Sequence, residues 1–364
     1  MNDSFSLYVL LSHPGVSPAV ARHLIQLLGS AEAVLCERDQ TEKPPHGVKN
    51  SLWNRLKNPI ARKKAKKEWG EIEKNGVRYL DYRNQDFPHL LNHIPDSPLL
   101  LFYRGETFPR SEKILSVVGT RKPTKDALVF TKDIIEAIKP INPIIVSGLA
   151  EGVDAAAHQA ALEAGLQTYA CLAHGVNQCY PFFHKKLKAH IEKQGGTLTE
   201  HCLDSPLHPG YFLRRNRIIA GLSHATVVVA TRQKGGAMVT GQLAFDYNRS
   251  VFAVPGGPNN PTQLGCNQLI KKNIAQLLDK PSDLLVTMGW ETNNDPSRNQ
   301  QTRLFHQLND DQKKLLQQLD PSPTHIDLIA LKAACPVGVA ASVLFELELM
   351  GLVRPVAGKQ FKRI

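Results

Sequence analysis

The sequence predicts an α/β protein: a Rossmann-like parallel sheet with a helical domain before it and a winged-helix domain after it. Short apolar runs at 114–118, 144–147, 168–173, 226–230 and 250–254 alternate with helix-like stretches at 125–138, 154–164 and 238–247. Alternation of that kind places a parallel sheet between two helical layers. Residues 1–75 carry only helix-type patterning, and 304–364 read as helices followed by a hairpin. The expected organisation is therefore a helical domain over 1–75, a sheet domain over 76–290, a linker over 291–303 and a winged helix over 304–364.

In the first domain, Leu7, Leu10 and Leu11 lead into His13-Pro14-Gly15-Val16-Ser17-Pro18. A second apolar run, Val20 to Leu28, stops at Gly29, where a C-terminal glycine is expected. Helix, Pro-Gly turn and helix outline a helix-hairpin-helix, a SAM-like helical module. Ser17 stands where a second turn glycine would let the backbone approach a phosphate, so plain packing is the favoured role. The basic run Arg62, Lys63, Lys64, Lys66 and Lys67 reads as a solvated helix face.

Two strand-like runs, 77–80 and 99–103, precede the alternating region and are expected to extend the sheet at its edge. Residues 291–303 contain no aliphatic or aromatic anchor, which is linker composition. Helical stretches at 310–319, 325–333 and 337–350 and a hairpin from 351–356 to 359–362 complete the winged-helix outline.

Lys and Arg number 44 against 33 Asp and Glu, a net charge of +11, and apolar residues make up 42% of the 364. That composition is globular, and the excess cation favours a polyanionic partner such as nucleic acid. The cysteines, Cys36, Cys171, Cys179, Cys202, Cys266 and Cys335, include no C-x-x-C pair, which argues against a zinc or redox site and for buried thiols in a reducing compartment. The N-terminus shows no basic segment followed by an apolar one, and no run approaches the roughly 18–20 apolar residues of a membrane span. A cytoplasmic protein is expected.

The chemistry-bearing motifs fall at the carboxyl ends of the predicted strands, where such sheets bind ligands. Gly119-Thr120-Arg121 offers a glycine turn, a hydroxyl and a guanidinium fork suited to phosphate. In Ser147–His158, Asp154 is expected to cap a helix and His158, four residues on, to satisfy a hydrogen bond rather than to form an acid–base pair. The cluster Arg214-Arg215-Asn216-Arg217 suits either phosphate contact or the tying of loops. Lys234-Gly235-Gly236 opens a helix after an apolar strand, a geometry that favours an anion. Turn chemistry accounts for Pro255-Gly256 and Gly265-Cys266-Asn267 without a ligand. The chain lacks the Walker and G-x-G-x-x-G phosphate loops and the G-x-S-x-G nucleophile elbow. Together these loops describe an extended anion-binding rim with no catalytic constellation and no cofactor site.

The order of these motifs resembles the DNA-processing family DprA/Smf over nearly the whole chain. The resemblance rests on Gly119-Thr120-Arg121, 147–158, Tyr180-Pro181, 215–223, 234–240, 253–256, 265–270 and the wing residues 349–353 and 358–361. It implies single-stranded DNA binding, a homodimer formed through the sheet domain, and the loading of RecA recombinase onto incoming DNA in natural transformation, without catalysis. It also implies DNA contacts at Gly119, Thr120 and Arg121, at Lys234 and Gly235, and at Lys185 and Lys186; on the rim read from the residues themselves, Thr124, Arg215, Asn216, Arg217 and Gly236 are expected to join them. The chain departs from the family pattern at Ala230 (glutamate in many members), His184 (asparagine), Gly235-Gly236-Ala237 (Ser-Gly-Ser) and Gly241 (alanine).

The competing reading is a nucleotide phosphoribohydrolase-type enzyme, invited by Pro255-Gly256-Gly257. That family needs a carboxylate soon after its glycine turn, and here none follows until Asp279. A duplex-reading role for the winged helix is disfavoured, because 337–350 holds no Lys or Arg and carries Glu346 and Glu348.

Overall fold

The computed structural model describes residues 3–109, 111, 113–203, 205, 207–290, 308–319, 324–349, 352–356 and 360–363. The chain divides into two compact units, Met1–Glu291 and Thr292–Ile364. The expected linker at 291–303 lies outside the described residues, as do wing residues Met350, Gly351, Gly358 and Lys359.

The first unit opens with helices α1 (Asp3–Leu11), α2 (Pro18–Leu28), α3 (Ala31–Gln40), α4 (Asn50–Arg55) and α5 (Pro59–Lys74). Ser17 accepts a hydrogen bond from the Val20 N–H and so caps α2, while Gly29 ends it at φ +92°, a conformation that glycine adopts without cost. Leu7, Leu10, Leu24, Trp53 and Leu56 fill the core of this bundle together with Leu99. A second cluster joins Tyr8, Trp69 and Ile72 to Leu100 and Phe102 of the sheet. The helical segment therefore shares its apolar core with the sheet. On α5, Arg62 pairs with Asp39 and Lys64 with Glu68, as a solvated face does.

The sheet comprises β1 (Arg78–Asp81), β2 (Leu100–Gly105), β3 (Ile114–Gly119), β4 (Ile144–Ser147), β5 (Thr168–Cys171), β6 (Gly196–Thr199), β7 (Ala225–Ala230), β8 (Ser250–Ala253) and β9 (Gln276–Leu277), with the short α6 (His89–Asn92) between β1 and β2. The spatial order is β1-β2-β6-β5-β4-β3-β7-β8-β9. From β6 to β9 every neighbouring pair is parallel, and β1 and β2 extend the edge, as the sequence led us to expect; their pairing is antiparallel. Strands β6 and β9 were not anticipated.

Side chains alternate across β3. Leu115 and Val117 enter one layer with Ala127, Ile134 and Ile138 of α7 (Lys125–Ile138) and Ala157 and Ala161 of α8 (Val153–Glu163). Ile114 and Val118 enter the other, with Ile218 and Leu222 of α10 (Pro209–Leu222) and Ala244 of α11 (Gly236–Asp246). Between α8 and α10 comes α9 (Lys185–Gln194), and α12 (Leu264–Lys271) and α13 (Pro281–Met288) complete this unit. The chain winds outward from β3 through β4 and β5, then returns to lay β7 on the opposite side of β3. The strand order reverses at that point, and a crevice opens outside the carboxyl ends of β3 and β7.

The second unit contains α14 (Asp310–Gln317), β10 (Thr324–His325), α15 (Ile326–Lys332), α16 (Val337–Leu349), β11 (Val353–Val356) and β12 (Gln360–Arg363). The antiparallel order β10-β12-β11 and the core of Leu315, Ile329, Leu344 and Leu347 form a winged helix. Asn309 and Gln312 cap α14 reciprocally.

Not every cysteine is a buried thiol: Cys171 and Cys266 are buried, Cys36 is exposed and the others are intermediate. Among the described residues, no single helix is long and apolar enough to cross a membrane.

Candidate functional site

A cleft of about 800 Å³ sits at the crevice between β3 and β7. The end of β3 and its loop contribute Gly119, Thr120 and Arg121; α10 contributes Phe212, Arg215 and Asn216; the β7–α11 loop contributes Arg232, Lys234 and Gly235, and α11 its first residue, Gly236. Most of the residues singled out in the sequence thus meet in one place.

The β3 loop is held from both sides. The Thr120 N–H donates to the Ala230 carbonyl at 2.7 Å, and the Thr120 carbonyl accepts from the Val153 N–H at 3.3 Å. A Cβ on Gly119 would stand 2.5 Å from Val153 Cγ2, so this glycine is required for packing against α8 rather than for closeness to a ligand. Gly152, at φ +79°, lies where a Cβ would meet the Thr120 carbonyl oxygen at 2.4 Å. It, not Asp154, is the N-cap residue of α8. The anchored loop leaves Arg121 exposed, its guanidinium 5.6 Å from the centre of the Phe212 ring, a cation–π contact that holds it over the cleft.

Arg232 and Lys234 are likewise exposed. Among the described residues, no ion pair joins Arg121, Arg232 or Lys234 to a carboxylate. Beside them α11 begins, with Gly235, Gly236 and Ala237 lining the cleft, so its first backbone N–H groups add a fixed positive end. Sequence reasoning passed over Arg232; its place two residues after the end of β7 is the signal that would have found it.

Arg215 and Arg217 of α10 behave differently. Arg215 is buried beneath the cleft, and its Nη1 donates to the carbonyls of Gly148 and Cys171, each at 2.6 Å. Its Nε donates to Asn216 Oδ1 at 3.3 Å, and Asn216 Nδ2 donates to the Gly236 carbonyl at 3.3 Å. The pair therefore ties the ends of β4, β5 and α11 together. Arg217 is also buried; it lies outside the cleft, donating to Glu200 and, at 2.6 Å, to the Asp96 carbonyl. The loop-tying role accounts for both guanidiniums.

Asp154 lines the cleft but is buried, accepting from the Gly148 N–H at 3.2 Å. Burial raises its pKa, and the Arg215 charge opposes that rise. His158 Nδ1 bonds Thr168 Oγ1 at 2.7 Å, and burial holds the imidazole down to about 3, so it is neutral. The two side chains form no acid–base dyad facing the cleft. Gly256 and Asn267 exchange reciprocal hydrogen bonds of 3.1 and 2.8 Å, a self-contained turn.

Thr124 is the N-cap of α7, accepting from the Ala127 N–H at 3.2 Å. Lys185 and Lys186 are exposed on the first turn of α9 and do not line the cleft. Among the described residues, no group of three or more His, Cys, Asp or Glu is placed to hold a metal ion.

The comparisons with known proteins agree with this architecture. The profile of the DNA recombination-mediator protein A family matches residues 78–289, and that of the DprA winged helix domain matches 300–359. The Smf protein of Synechocystis is 31% identical over 80% of this chain and 82% of its own length. The Escherichia coli Smf protein is 33% identical over 75% and 74%. The crystal structure of DNA processing protein A from Streptococcus pneumoniae aligns with a TM-score of 0.58 and 27% identity over 74% of this chain and 98% of its own. The corresponding protein from Helicobacter pylori, solved for its single-stranded DNA binding mode, aligns with a TM-score of 0.52 and 27% identity over 58% and 95%. With both sheet and wing matched, this chain belongs to the DNA recombination-mediator protein A (DprA/Smf) family.

Proposed function

We propose that the protein binds single-stranded DNA by its backbone, along the rim formed at the carboxyl ends of β3 and β7, and that it acts by binding rather than by catalysis. The observation that carries this is the set of exposed cations, Arg121, Arg232 and Lys234, that have no carboxylate partner among the described residues, around a cleft whose wall includes the start of α11. Guanidinium forks, an ammonium and helix N–H groups are the donors that phosphates take. The carboxylate lining the cleft is tied to backbone and countered by Arg215, a poor arrangement for a general base. Contacts to phosphate position a strand without reading its sequence, so binding is expected to be sequence-tolerant. Thr120 and the amide of Gly236 complete this contact set, Gly235 lines the wall with its own N–H held by the Arg232 carbonyl, and Lys185 and Lys186 flank the set from α9.

Family membership supports two extensions. One is that the bound strand is incoming DNA in transformation, passed to a RecA-type recombinase, as the description of the family as recombination mediators supports. The other is a homodimer through the sheet domain, which would make the second groove's contact intramolecular and raise avidity. A gel shift with single- and double-stranded oligonucleotides of one length tests the central reading. Preferential retardation of the single strand, weakened by Arg121→Ala, is the expected result; equal binding of both, unaffected by Arg121→Ala, overturns it.

A further inference from the structure

Next to the cleft, large apolar side chains face solvent where packing alone would not leave them. Phe182 and Phe183 are 77% and 67% exposed, and Tyr180, on the cleft wall, is 42% exposed. Phe182 and Phe183 occupy one turn, since Phe182–His184 forms a single 3-10 turn leading into α9, and Tyr180 stands two residues before it. The turn is anchored: the Tyr180 N–H donates to His174 Nε2 at 3.2 Å, and His184 Nδ1 bonds the Leu149 carbonyl at 3.0 Å. Tyr180 packs edge-on against Phe212 at 5.7 Å, and Phe212 carries Arg121. Ring contacts thus run from Arg121 through Phe212 to Tyr180, two residues before Phe182. Lys185 and Lys186 stand exposed directly beyond it.

Exposed aromatics cost solvation free energy, so a cluster of them on a fixed turn calls for an occupant. Flanking cations select a polyanion, and aromatic faces beside a cationic track are what the bases of a single strand stack on. We infer that Phe182 and Phe183, continued by Tyr180, form a base-stacking platform, so that the protein holds the bases of a strand whose phosphates lie on the rim. This rests on the single-strand reading above and adds the origin of its selectivity: bases paired and stacked in a duplex present no free face to the turn.

Abasic oligonucleotides separate the two ideas, because they keep the phosphates and lack the bases. Fluorescence anisotropy of the full-length protein would compare labelled oligo-dT with a tetrahydrofuran-spacer strand of equal length. Wild type is expected to prefer oligo-dT by roughly 5- to 100-fold per stacked base. The double variant Phe182→Ala/Phe183→Ala should lose that preference while keeping its affinity for the abasic strand, and Phe182→Tyr/Phe183→Tyr should restore it. Arg121→Ala should weaken both ligands alike. A double variant that retains the wild-type preference for oligo-dT overturns the platform and leaves the backbone reading standing. Wild type that binds neither ligand overturns both. A double variant whose DNA binding is intact but whose mass in light scattering has fallen by half assigns the turn to contact between copies of this chain instead.

Discussion

Two arginine-bearing segments border the same cleft and use the same side chain in opposite ways. On the β3 loop, Arg121 extends into solvent over Phe212. On α10, Arg215 and Arg217 are buried and hydrogen-bonded to the carbonyls and carboxylate that hold the rim in place. The first segment leaves its charge facing solvent; the second uses it to fix the fold. On the proposed reading, the arginines beside the cleft therefore divide into groups that touch phosphate and groups that position, and the two respond differently to substitution.

The largest expected effect is on the positioning side. Arg217→Ala would leave the buried Glu200 side chain with only its longer Arg214 contact, and Arg215→Ala would leave the Gly148 and Cys171 carbonyls without their donor and Asp154 without the charge that opposes its desolvation. Breaking a buried pair costs about 3–5 kcal/mol, so urea unfolding midpoints should fall sharply, with DNA binding lost only as the fold is lost. If either variant is as stable as wild type yet fails to bind, that arginine touches DNA and the division is wrong.

Arg121→Ala and Lys234→Ala should do the reverse. Unfolding midpoints should stay within about 0.5 kcal/mol of wild type, as for exposed sites, while affinity for single strands drops roughly 10- to 100-fold, the worth of a hydrogen bond to a charged group.

A third contrast concerns pH. Burial holds His158 down to about 3 and His201 to about 4, below the usual value for histidine. The unfolded chain takes up protons below about pH 6.5 that the folded chain refuses, so stability is full above that pH and falls as pH drops toward 4. The loss is at most about 1.4 kcal/mol per pH unit for each residue. Urea midpoints at pH 7.5 and 5 should show it, and His158→Asn should flatten the dependence; a pH-independent midpoint would mean that both imidazoles take up protons in the folded state.

The smallest effect is expected at Thr124. Removing this helix cap should cost about 1 kcal/mol of stability and leave the affinity for DNA unchanged. Loss of affinity without loss of stability would move Thr124 into the contact set.

Much of the fold was legible because its signals are local. The run at 114–118 became Ile114–Gly119, and the helix at 125–138 was found at Lys125–Ile138. Strand β6 was not legible: Gly196-Thr197-Leu198-Thr199 carries one aliphatic residue and is a strand because β2 and β5 flank it. The two-residue β9 is equally a product of its neighbour β8. At the site, strand-end position located the β3 and β7 loops. The sequence motif alone did not separate Arg121 from Arg215, yet helical spacing offers the distinction. Arg215 shares a face with Ile218, Ile219 and Leu222, at i+3, i+4 and i+7, so it turns inward with them. The hydrogen bonds that then occupy it are long-range, to Gly148 and Cys171, and no local pattern encodes them.

The most direct test of the account is the salt dependence of single-strand binding by wild type, Arg121→Ala and Lys234→Ala. If the rim holds phosphates, log K for wild type falls linearly with log salt, and each substitution reduces the slope by about 0.7. Slopes and affinities unchanged by either substitution would contradict it.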